Sequence, residues 1–461
     1  MKKILFITLA VVISMAANAH NQVWTDIVTA RPSGYAVDAN GDVEISSAEG
    51  LAWLISVVNG LNGCEPYDFD GHTVSLVSDV DLGGNEWVPV GDAVASPRLP
   101  FKGVFDGNRH VISNLNIYDH SFSKQYLGLF GYVSGAEIHD VALDGGNVYG
   151  GSYCGGVAGW GDDGSVIDNC HINMTVGSDF YPGGVVGRNR NSTVRNCCYV
   201  DDDFMAWDTY SGGIAGINES DGGNAVVENC YFDSKSEYTL NTRYFGGIVG
   251  HNSVIGTEGN AIVRNCYARL VEHIGNEGAI VGQNDGGEVS NCYYNSGYDI
   301  PVIGNGDMTS VDCSRFFINE NVGTVLQTPV SIGENVIDNL LDALNAWVSV
   351  QTSPTLYNEW CESSELLPFF CYLIFADVDE SYVSENAVNV YPNPASGSIS
   401  VSVNSGAEIE SVSLYDISGR LVKAQQSGFG SIDISGLAPG MYVMKVALDD
   451  GKVFEEKIVK R

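Results

Sequence analysis

Basic residues are scarce in this 461-residue chain, which has 22 Lys and Arg against 57 Asp and Glu and a formal net charge of −35. An acidic excess of this size repels nucleic acid and anionic membranes, and it attracts cations or basic partners. Nearly all of the excess lies in residues 20–380, because residues 381–461 are close to neutral. We therefore predict no nucleic-acid partner, and we interpret the acidity mainly as a means of keeping a long surface soluble.

Long hydrophobic runs are missing beyond the N-terminus. Lys2 and Lys3 precede an apolar stretch, Ile4 to Ile13, that is too short to span a bilayer. Ala17-Asn18-Ala19 then fits a signal-peptidase cleavage site. These features predict a signal peptide over residues 1–19 and a soluble or surface-attached mature chain that begins at His20.

What the chain has in place of apolar runs is repetition, which is the first sign of a solenoid. Five glycine boxes occur, each followed by a polar gap of variable length and by a box that ends in Asn-Cys. The glycine boxes are Gly155–Gly159, Gly183–Gly187, Gly212–Gly216, Gly246–Gly250 and Gly278–Gly282, and the Asn-Cys pairs are Asn169-Cys170, Asn196-Cys197, Asn229-Cys230, Asn265-Cys266 and Asn291-Cys292. A divergent earlier copy is Gly128–Gly131 followed by Ala136–Leu143.

Each repeat offers short β-branched runs bounded by Gly and Asn, and no amphipathic helix. One such unit cannot bury its own apolar face, so the repeats must stack. Stacked short strands predict an all-β chain with a right-handed parallel β-helix, in which the aligned asparagines lie above one another and satisfy one another's amides. The variable gaps predict one loop region where a binding face is usually found.

Helical patterns flank the repeats and predict caps, because open solenoid ends expose unpaired strand edges. Ser46-Ser-Ala-Glu49 reads as a capping box that begins a helix over Ala48 to Asn59. Val336 to Val348 is a second helical pattern, which we expect to form a C-terminal cap together with Leu366–Phe370.

The repeats resemble a known family through Phe101–Asn108, Asn114–Ile117, Gly128–Gly131 and the series of glycine and Asn-Cys boxes. This pattern, over about residues 45–375, is similar to the GLUG-repeat β-helices of bacterial surface proteins. The resemblance implies a fold rather than an activity, because such repeats accompany different functions.

The chain has eleven cysteines, and five of them occupy the same repeat position. Side chains in register point the same way rather than toward each other, so we predict a column of free, buried thiols at a corner. Cys361 and Cys371 lie outside this column and are candidates for a disulfide bond.

One acidic loop resembles an EF-hand loop in the spacing of its oxygens, which come from Asp38, Asn40, Asp42, Glu44 and Glu49. It lacks the glycine at position 6, and the same residues also serve a turn, a strand and a helix cap. We favour the structural interpretation and expect no cofactor, with Ca²⁺ at this loop as the alternative. Asp201–Asp203 is a weaker candidate of the same kind.

The composition changes after Phe375. Residues 376–387 read as a polar linker, and the following 75 residues contain six short alternating runs with turn signals between them. This pattern predicts a small C-terminal β-sandwich. The predicted domains are therefore a signal peptide (1–19), an N-terminal cap region (20–100), repeats (101–300), a C-terminal cap region (301–375), a linker (376–387) and a sandwich (388–461).

The C-terminal domain carries the more specific resemblance. Tyr391-Pro392-Asn393-Pro394, Leu414–Arg420, Leu437–Tyr442 with Gly440, and the ending Lys457–Arg461 closely resemble the type A sorting domains that the type IX secretion machinery of Bacteroidota reads. The resemblance implies passage through the periplasm, export across the outer membrane, and release or attachment at the cell surface after the domain is removed.

We find no HExxH, GxSxG or Walker motif in the chain. These observations predict a monomeric, non-catalytic binding or adhesin-type protein whose ligand is a glycan or a surface protein. A carbohydrate-active enzyme, either a polysaccharide lyase or a glycoside hydrolase, is the alternative, because β-helices often carry such sites along one sheet. Acidic residues abound for that chemistry, but no acidic motif recurs.

Overall fold

A computed structural model describes residues 22–119, 121–201, 205–207, 210–234, 239–241, 243–270, 277–319, 323–363, 367–371, 388–391, 397–403, 409–416, 421–425, 432–437, 440–448 and 453–460. The chain forms two compact units, Met1–Val378 and Asp379–Arg461. Within the described ranges, the structure has no helix with the length and apolar character needed to cross a membrane. The predicted signal peptide lies outside the described residues.

The N-terminal part of the first unit begins with short elements around one longer helix. They are α1 (Trp24–Ile27), β1 (Tyr35–Val37), β2 (Val43–Ile45), α2 (Ala48–Asn59), β3 (Thr73–Leu76), β4 (Val80–Asp81) and β5 (Val104–Asp106). The predicted bounds of α2 are confirmed. Its N-cap is Ser47 rather than Ser46, because the Ser47 hydroxyl accepts a hydrogen bond from the amide of Gly50. Leu51, Leu54 and Ile55 of α2 are fully buried and fill this end of the core.

The repeats form short strands in regular succession. They are β6 (Val111–Tyr118), β7 (Gln125–Leu127), β8 (Phe130–Ser134), β9 (Glu137–His139), β10 (Ala142–Cys154), β11 (Ala158–Asp162), β12 (Val166–Asp168), β13 (His171–Phe180), β14 (Val186–Arg190), β15 (Thr193–Arg195), β16 (Cys198–Asp201), β17 (Met205–Trp207), β18 (Tyr210–Gly212), β19 (Ala215–Asp221), β20 (Ala225–Glu228), β21 (Tyr231–Ser234), β22 (Thr239–Asn241), β23 (Tyr244–Gly246), β24 (Val249–Ile255), β25 (Ala261–Arg264), β26 (Tyr267–Leu270), β27 (Glu277–Gly278), β28 (Val281–Asp285), β29 (Glu288–Ser290), β30 (Tyr293–Ser296) and β31 (Ile303–Gly306).

These strands stack into three long sheets, and each turn of the chain contributes one strand to each. Strands β18, β23 and β27 form a further, three-stranded parallel sheet. Sheet 1 has the order β1-β2-β3-β5-β9-β12-β15-β20-β25-β29, and sheet 3 has the order β8-β11-β14-β19-β24-β28-β31. Sheet 2 passes through β4-β6-β10-β13-β16-β21-β26-β30, with smaller strands at its corner with sheet 3. The neighbouring strands pair in parallel from β2 and β3 onward. The predicted parallel β-solenoid is confirmed.

The core is the interior of the solenoid, filled by the inward residue of each strand. One turn illustrates the pattern: Val186 of sheet 3, Val194 of sheet 1 and Tyr199 of sheet 2 are all fully buried. The same positions recur on every turn, so the apolar side chains form one continuous cluster. Their burial is the main force that holds the turns together, because a single turn would leave its apolar face in water.

The segment after the repeats returns along the side of the solenoid. It contains β32 (Ser314–Asn319), β33 (Gly323–Ile332), β34 (Asn335–Asn339), α3 (Leu340–Ser349), a 3₁₀ turn (Pro354–Leu356), β35 (Trp360–Glu362) and β36 (Pro368–Phe370). Strands β32 to β34 extend sheet 2 beyond β30. The residues of α3 pack with Tyr231, Tyr267 and Tyr293 on the outer side of sheet 2. We call residues 340–363 and 367–371 the return segment.

The second predicted helix begins four residues later than the apolar pattern indicated. Val336 to Asn339 belong to β34, which pairs antiparallel with β33, and Val336 is 76% exposed. Asn339 then caps α3 by accepting a hydrogen bond from the amide of Asp342. Hairpin pairing and the strong N-cap preference of Asn therefore prevail over the helical periodicity.

The second unit contains only antiparallel strands among its described residues. They are β37 (Val388–Tyr391), β38 (Ser398–Val403), β39 (Ile409–Asp416), β40 (Leu421–Gln425), β41 (Ile432–Asp433), β42 (Gly440–Leu448) and β43 (Val453–Lys460). They form two sheets, β37-β38-β41 and β40-β39-β42-β43. Ile399 of the first sheet and Val412, Leu414 and Met444 of the second share one buried cluster. This arrangement agrees with the predicted sandwich.

Candidate functional site

A row of stacked tyrosine rings follows the corner between sheets 2 and 3. Its members lie on successive turns and are Tyr126, Tyr153, Tyr181, Tyr210 and Tyr244. Their centroids are 5.0, 4.8, 5.7 and 5.1 Å apart in this order, and neighbouring ring planes are within 17° of parallel. All five side chains are half-buried. We call this row the tyrosine column.

The last glycine of the first three glycine boxes, Gly159, Gly187 and Gly216, makes room for the column. A Cβ atom at Gly159 would lie 2.2 Å from the backbone of Tyr126, and one at Gly187 would lie 2.3 Å from that of Tyr153. Only glycine avoids these collisions. Tyr126, Tyr153 and Tyr181 share a left-handed backbone conformation, with φ of 59°, 56° and 60°. Because their turns are alike, their rings leave the backbone in the same direction and stack at the strand spacing.

The adjoining outward row of sheet 3 adds aromatic and cationic groups. Trp160 lies beside Tyr126 and Tyr132, with ring centroids 5.2 and 4.8 Å away. The guanidinium groups of Arg98 and Arg188 lie 4.7 and 4.8 Å from the Trp160 ring centroid. Trp160 is only 2% exposed, and its Nε1 has no hydrogen-bond partner within the described part of the chain. The row therefore has an aromatic centre covered by cations.

The same row continues with polar side chains on later turns. The His251 ring stacks on Tyr210 with centroids 4.6 Å apart. The Tyr210 hydroxyl donates a hydrogen bond of 3.2 Å to Oε1 of Gln283. The hydroxyls of Tyr126, Tyr153 and Tyr181 have no hydrogen-bond partner among the described residues. The surface thus offers ring edges and hydroxyl groups side by side.

Carboxylates balance the two arginines next to the column. Arg188 contacts Glu219 at 2.5 Å, and Arg190 contacts Asp162 at 3.2 Å and Asp221 at 2.5 Å. Burial raises the pKa of the Asp162 carboxyl above its usual value, against the lowering effect of Arg190. Each of the two guanidinium groups therefore has a carboxylate partner, and the three carboxylates outnumber the two guanidinium groups.

Burial also affects the phenol groups. It raises the pKa of Tyr153 to about 12, and it raises the pKa values of Tyr181 and Tyr210 as well. These hydroxyls stay protonated at neutral pH, so each can donate one hydrogen bond and accept others. The column is a surface for hydrogen bonding and apolar contact rather than a source of nucleophiles.

Our sequence reasoning did not predict the tyrosine column, although a signal for it is present. A tyrosine stands two residues before the first glycine at each of the five turns concerned, as in Tyr181-Pro-Gly-Gly and Tyr210-Ser-Gly-Gly. A second missed signal is an asparagine two residues after the last glycine of a box. Asn189, Asn218, Asn252 and Asn284 occupy this position and form a buried ladder of amide hydrogen bonds of 2.7–2.9 Å.

The predicted asparagine ladder forms in part at the corner between sheets 1 and 2, where Asn196, Asn229 and Asn265 bond to one another. Asn169 donates instead to Asp140, and Oδ1 of Asn265 has no partner among the described residues. The Nδ2 of Asn229 donates to Oδ1 of Asn196 at 2.8 Å, and that of Asn265 donates to Oδ1 of Asn229 at 2.7 Å. All five predicted members adopt positive φ values of 50–55°. The return segment completes the ladder, because Asn358 donates to Asn169 at 2.7 Å and Trp360 donates to Asn229 at 2.8 Å.

The acidic loop that we weighed as a calcium site is occupied by hydrogen bonds within the protein. Oδ1 of Asp38 accepts from the amides of Asn40 at 2.8 Å and Asp42 at 3.0 Å. These bonds, that of Asn40 above all, lower the pKa of Asp38. Asp42 accepts from the amide of Thr73 at 2.8 Å. Glu44 lies in β2, and Glu49 lies in the first turn of α2.

A different group of potential metal ligands does converge among the described residues. The ligand atoms of Asp106, His139 and Asp140 all lie within 4.8 Å of one another. Nδ1 of His139 is 2.9 Å from Asp140 and 3.6 Å from Asp106. The hydrogen bond with Asp140 raises the pKa of His139. Arg109 lies 3.6 Å from Asp140, so a cation already faces this cluster. Asp201 of the weaker acidic candidate ends β16, and residues 202 and 203 lie outside the described residues.

The repeat cysteines are free and buried, as predicted. The thiol of Cys230 donates to the carbonyl of Glu228 at 3.2 Å, and that of Cys266 donates to Arg264 at the same distance. Burial raises the pKa of Cys230 well above its usual value. Cys361 and Cys371 form the disulfide bond for which they were candidates, inside the return segment.

The sorting-motif residues are only partly within the described range. Tyr391 ends β37, and Gly440 begins β42. Tyr442 is 7% exposed and belongs to the core of the second unit. Pro392, Asn393 and Pro394 lie outside the described residues. The motif therefore includes at least one residue of the sandwich core.

Comparison with known proteins assigns the second unit. The chain is a β-solenoid protein that carries a C-terminal export module: residues 389–461 match the secretion system C-terminal sorting domain. This match indicates export by the type IX secretion system, with interaction with its machinery and a cell-surface or extracellular destination. No curated protein and no solved structure matches the chain.

Proposed function

We propose that this protein is a non-catalytic, monomeric binding protein that the type IX secretion system delivers to the cell surface, and that its ligand contacts the tyrosine column. The export part is supported by the sorting-domain match. The binding part rests on one observation, the half-buried row of five aligned tyrosines beside Trp160 and Arg188.

Tyrosine suits a binding surface for energetic reasons. Each ring contributes apolar contact area and a hydroxyl, and it has few side-chain torsions to immobilise when a ligand binds. In the column, stacking on both sides already restricts Tyr153, Tyr181 and Tyr210. Binding a ligand on this surface would therefore cost little additional side-chain entropy.

A carbohydrate-active enzyme is the second candidate, and one observation favours it. Asp162 is a 3% exposed carboxyl with a raised pKa, and Glu219 is a second buried carboxylate on the same face. Glycoside hydrolases use such pairs as acid and base. We favour binding because Arg188 and Arg190 engage both carboxylates, which holds them as ion pairs rather than as proton donors and acceptors.

We also propose the finer steps of delivery. The signal peptide over residues 1–19 is removed in the periplasm, the second unit is removed after outer-membrane export, and the solenoid is released or attached to the surface. The repeats belong, in this proposal, with the GLUG repeats of surface proteins of Bacteroidota. These steps are supported by the resemblances of the sequence motifs.

Export is tested by deleting residues 388–461 in a host that has the secretion system. We expect the truncated chain to stay in the periplasm, whereas the full chain becomes accessible to protease on intact cells. Matched expression of a chain with only residues 458–461 removed shows whether the extreme C-terminus is required. Normal surface accessibility of the 388–461 deletion would contradict the export proposal.

Catalysis is tested with the mature chain on neutral and acidic polysaccharides. The readouts are newly formed reducing ends and the absorbance of unsaturated uronates, and we expect neither to rise. Asp162→Asn and Glu219→Gln are the discriminating variants. Product formation by the wild type that both variants abolish would replace the binding proposal with the enzyme.

A further inference from the structure

We propose that the ligand of the tyrosine column is an uncharged glycan with an extended backbone of β-linked pyranose units, which lies along the column with about one sugar unit per solenoid turn. This inference rests on the proposed function, because it names the ligand class for the same site. Three properties of the site support it: its spacing, its hydrogen-bonding groups and its charge.

The spacing distinguishes glycans from polypeptides. Successive rings of the column are 4.8–5.7 Å apart. An extended polypeptide advances by about 3.3 Å per residue and presents side chains to one face at about twice that interval, so neither interval matches the column. A pyranose unit in an extended β-linked chain is about as long as one step of the column. One sugar unit can therefore lie beside each ring, and in a 1,4-linked chain, whose successive units are turned over, the same edge recurs at every second ring. A peptide keeps no such register with the column.

The chemical groups on the surface suit sugar hydroxyls. The stacked rings cover one another's faces, so the column presents ring edges and phenol hydroxyls to a ligand. The hydroxyls of Tyr126, Tyr153 and Tyr181 have no partner among the described residues, and that of Tyr210 is held by Gln283 at 3.2 Å. Protonated phenols both donate and accept, as sugar hydroxyls do. Each turn can thus form a hydrogen bond with one sugar unit.

One end of the column has unpaired polar atoms as well. Nε1 of Trp160 and Nε of Arg188 are buried and have no hydrogen-bond partner in the ranges that the structure describes, and Trp160 lies against Tyr126. Buried donors are nearly always satisfied in folded proteins, by the protein, by water or by a ligand. Neither atom is exposed to solvent, so the ligand contacts the phenol hydroxyls of the column rather than these two donors.

The charge of the site disfavours acidic glycans. Arg188 and Arg190 are paired with Glu219, Asp162 and Asp221, so of the three arginines beside the column only Arg98, which donates to the carbonyl of Ala93, has no carboxylate partner among the described residues. The whole chain has a net charge of −35, which adds a repulsive field for any polyanion. The ligand should therefore be a neutral polysaccharide.

The test uses the mature full-length chain in native affinity gels that contain xylan, glucomannan or hydroxyethylcellulose, with polygalacturonate as the acidic comparison. We expect at least one neutral polymer to retard the protein and polygalacturonate to have no effect. Tyr181→Phe removes one hydroxyl and keeps the stack, so it should weaken binding about fivefold, and Tyr153→Phe combined with it roughly 25-fold. Tyr118→Phe is the matched control, because Tyr118 stacks on Tyr149 elsewhere, on sheet 2.

Other outcomes overturn the inference in distinguishable ways. Preference for polygalacturonate would refute the charge argument, and neutral-glycan binding that Tyr181→Phe and Tyr181→Ala leave unchanged would refute the placement on the column. Plates coated with collagen and with fibronectin serve as protein probes in parallel. If the chain binds these and not the glycans, and Tyr181→Ala abolishes that binding, the glycan inference fails while the proposed function stands. If no glycan and no protein probe depends on Tyr181, the binding role of the column fails as well.

Discussion

Replacing Asn229 should weaken the solenoid more than replacing any apolar residue of similar size, because this one side chain joins three parts of the fold. It is fully buried and makes four hydrogen bonds. It donates to Asn196 at 2.8 Å and to the carbonyl of Asn358 at 3.1 Å. It accepts from Asn265 at 2.7 Å and from Trp360 Nε1 at 2.8 Å. The bonds thus connect Asn229 to the turn before it, to the turn after it and to the return segment.

The magnitude follows from these contacts. Each lost hydrogen bond costs about 1 kcal/mol net, and the orphaned indole and amide donors raise that cost. Asn229 also has a φ of 52°, in the left-handed region, where an alanine is strained by about 1 kcal/mol. Together the terms give a loss of roughly 4–6 kcal/mol in the free energy of unfolding for Asn229→Ala. That is a large share of the roughly 5–15 kcal/mol that stabilises a typical domain.

Two matched variants separate the contributions. Asn229→Gly removes the same hydrogen bonds but tolerates the positive φ, so it should be about 1 kcal/mol less damaging than Asn229→Ala. Asn169→Ala, at the first predicted position of the ladder, removes the bonds with Asp140 and Asn358 from a half-buried site and should cost about half as much.

The assay is urea unfolding followed by far-ultraviolet circular dichroism and by tryptophan emission, to which Trp360 contributes. Circular dichroism reports the sheets of the solenoid. Of the seven tryptophans, Trp347 and Trp360 lie in the return segment, so its undocking contributes part of the emission change. The reasoning is refuted if Asn229→Ala unfolds within 1 kcal/mol of the wild type. Equal stability of the alanine and glycine variants would refute the backbone-strain term alone.

Three further predictions concern the thiols, pH and calcium. Cys266→Ala should destabilise by roughly 1–3 kcal/mol through a small cavity, and thiol titration in denaturant without reductant should find the repeat cysteines reduced; full oxidation of these residues would contradict the free-thiol column. Asp119 should make the fold acid-sensitive. Burial raises the pKa of its carboxyl, but hydrogen bonds from the Lys124 amide and from Ser121 outweigh burial and lower the pKa to about 2. The stabilising contribution of Asp119 is therefore present above about pH 4 and lost as the pH falls toward 2. Asp119→Asn should therefore lower the melting temperature at pH 7 and leave it unchanged near pH 2, and an equal effect at both would refute this assignment. Sub-millimolar Ca²⁺ should raise the melting temperature no more than NaCl of equal ionic strength, and a calcium-specific shift that Asp42→Ala abolishes would establish the loop as a site instead.

The link between the glycine boxes and the tyrosine column explains how a binding surface can be built by repetition. At Gly159, Gly187 and Gly216 a Cβ atom would collide with the backbone of the column tyrosine on the preceding turn, so glycine lets that backbone approach. Since both residues recur, every added turn lengthens the surface by one ring. The same residues thus define the fold and the candidate site.

The sequence by itself determined the features that depend on local pattern and on repetition. Boxes of glycine and Asn-Cys at recurring positions require stacking in register, so the solenoid, the asparagine ladder and the buried thiols could all be predicted. Helix α2 was predicted with its correct bounds because its apolar face and the serines before it are local signals, although the serine that caps it is Ser47 rather than Ser46. The export module was recognisable because its motifs are specific.

Only the tertiary structure decided which residues meet across long separations. The five tyrosines are 27–34 residues apart in sequence and come within about 6 Å only because β-solenoid turns are stacked at the spacing of parallel strands. The same holds for the return segment, where Asn358 reaches Asn169 over 189 residues and places α3 on the side of sheet 2. Such contacts depend on the lengths of the turns and on packing between distant surfaces. Local propensity does not encode them, because it reports only what each residue prefers beside its chain neighbours.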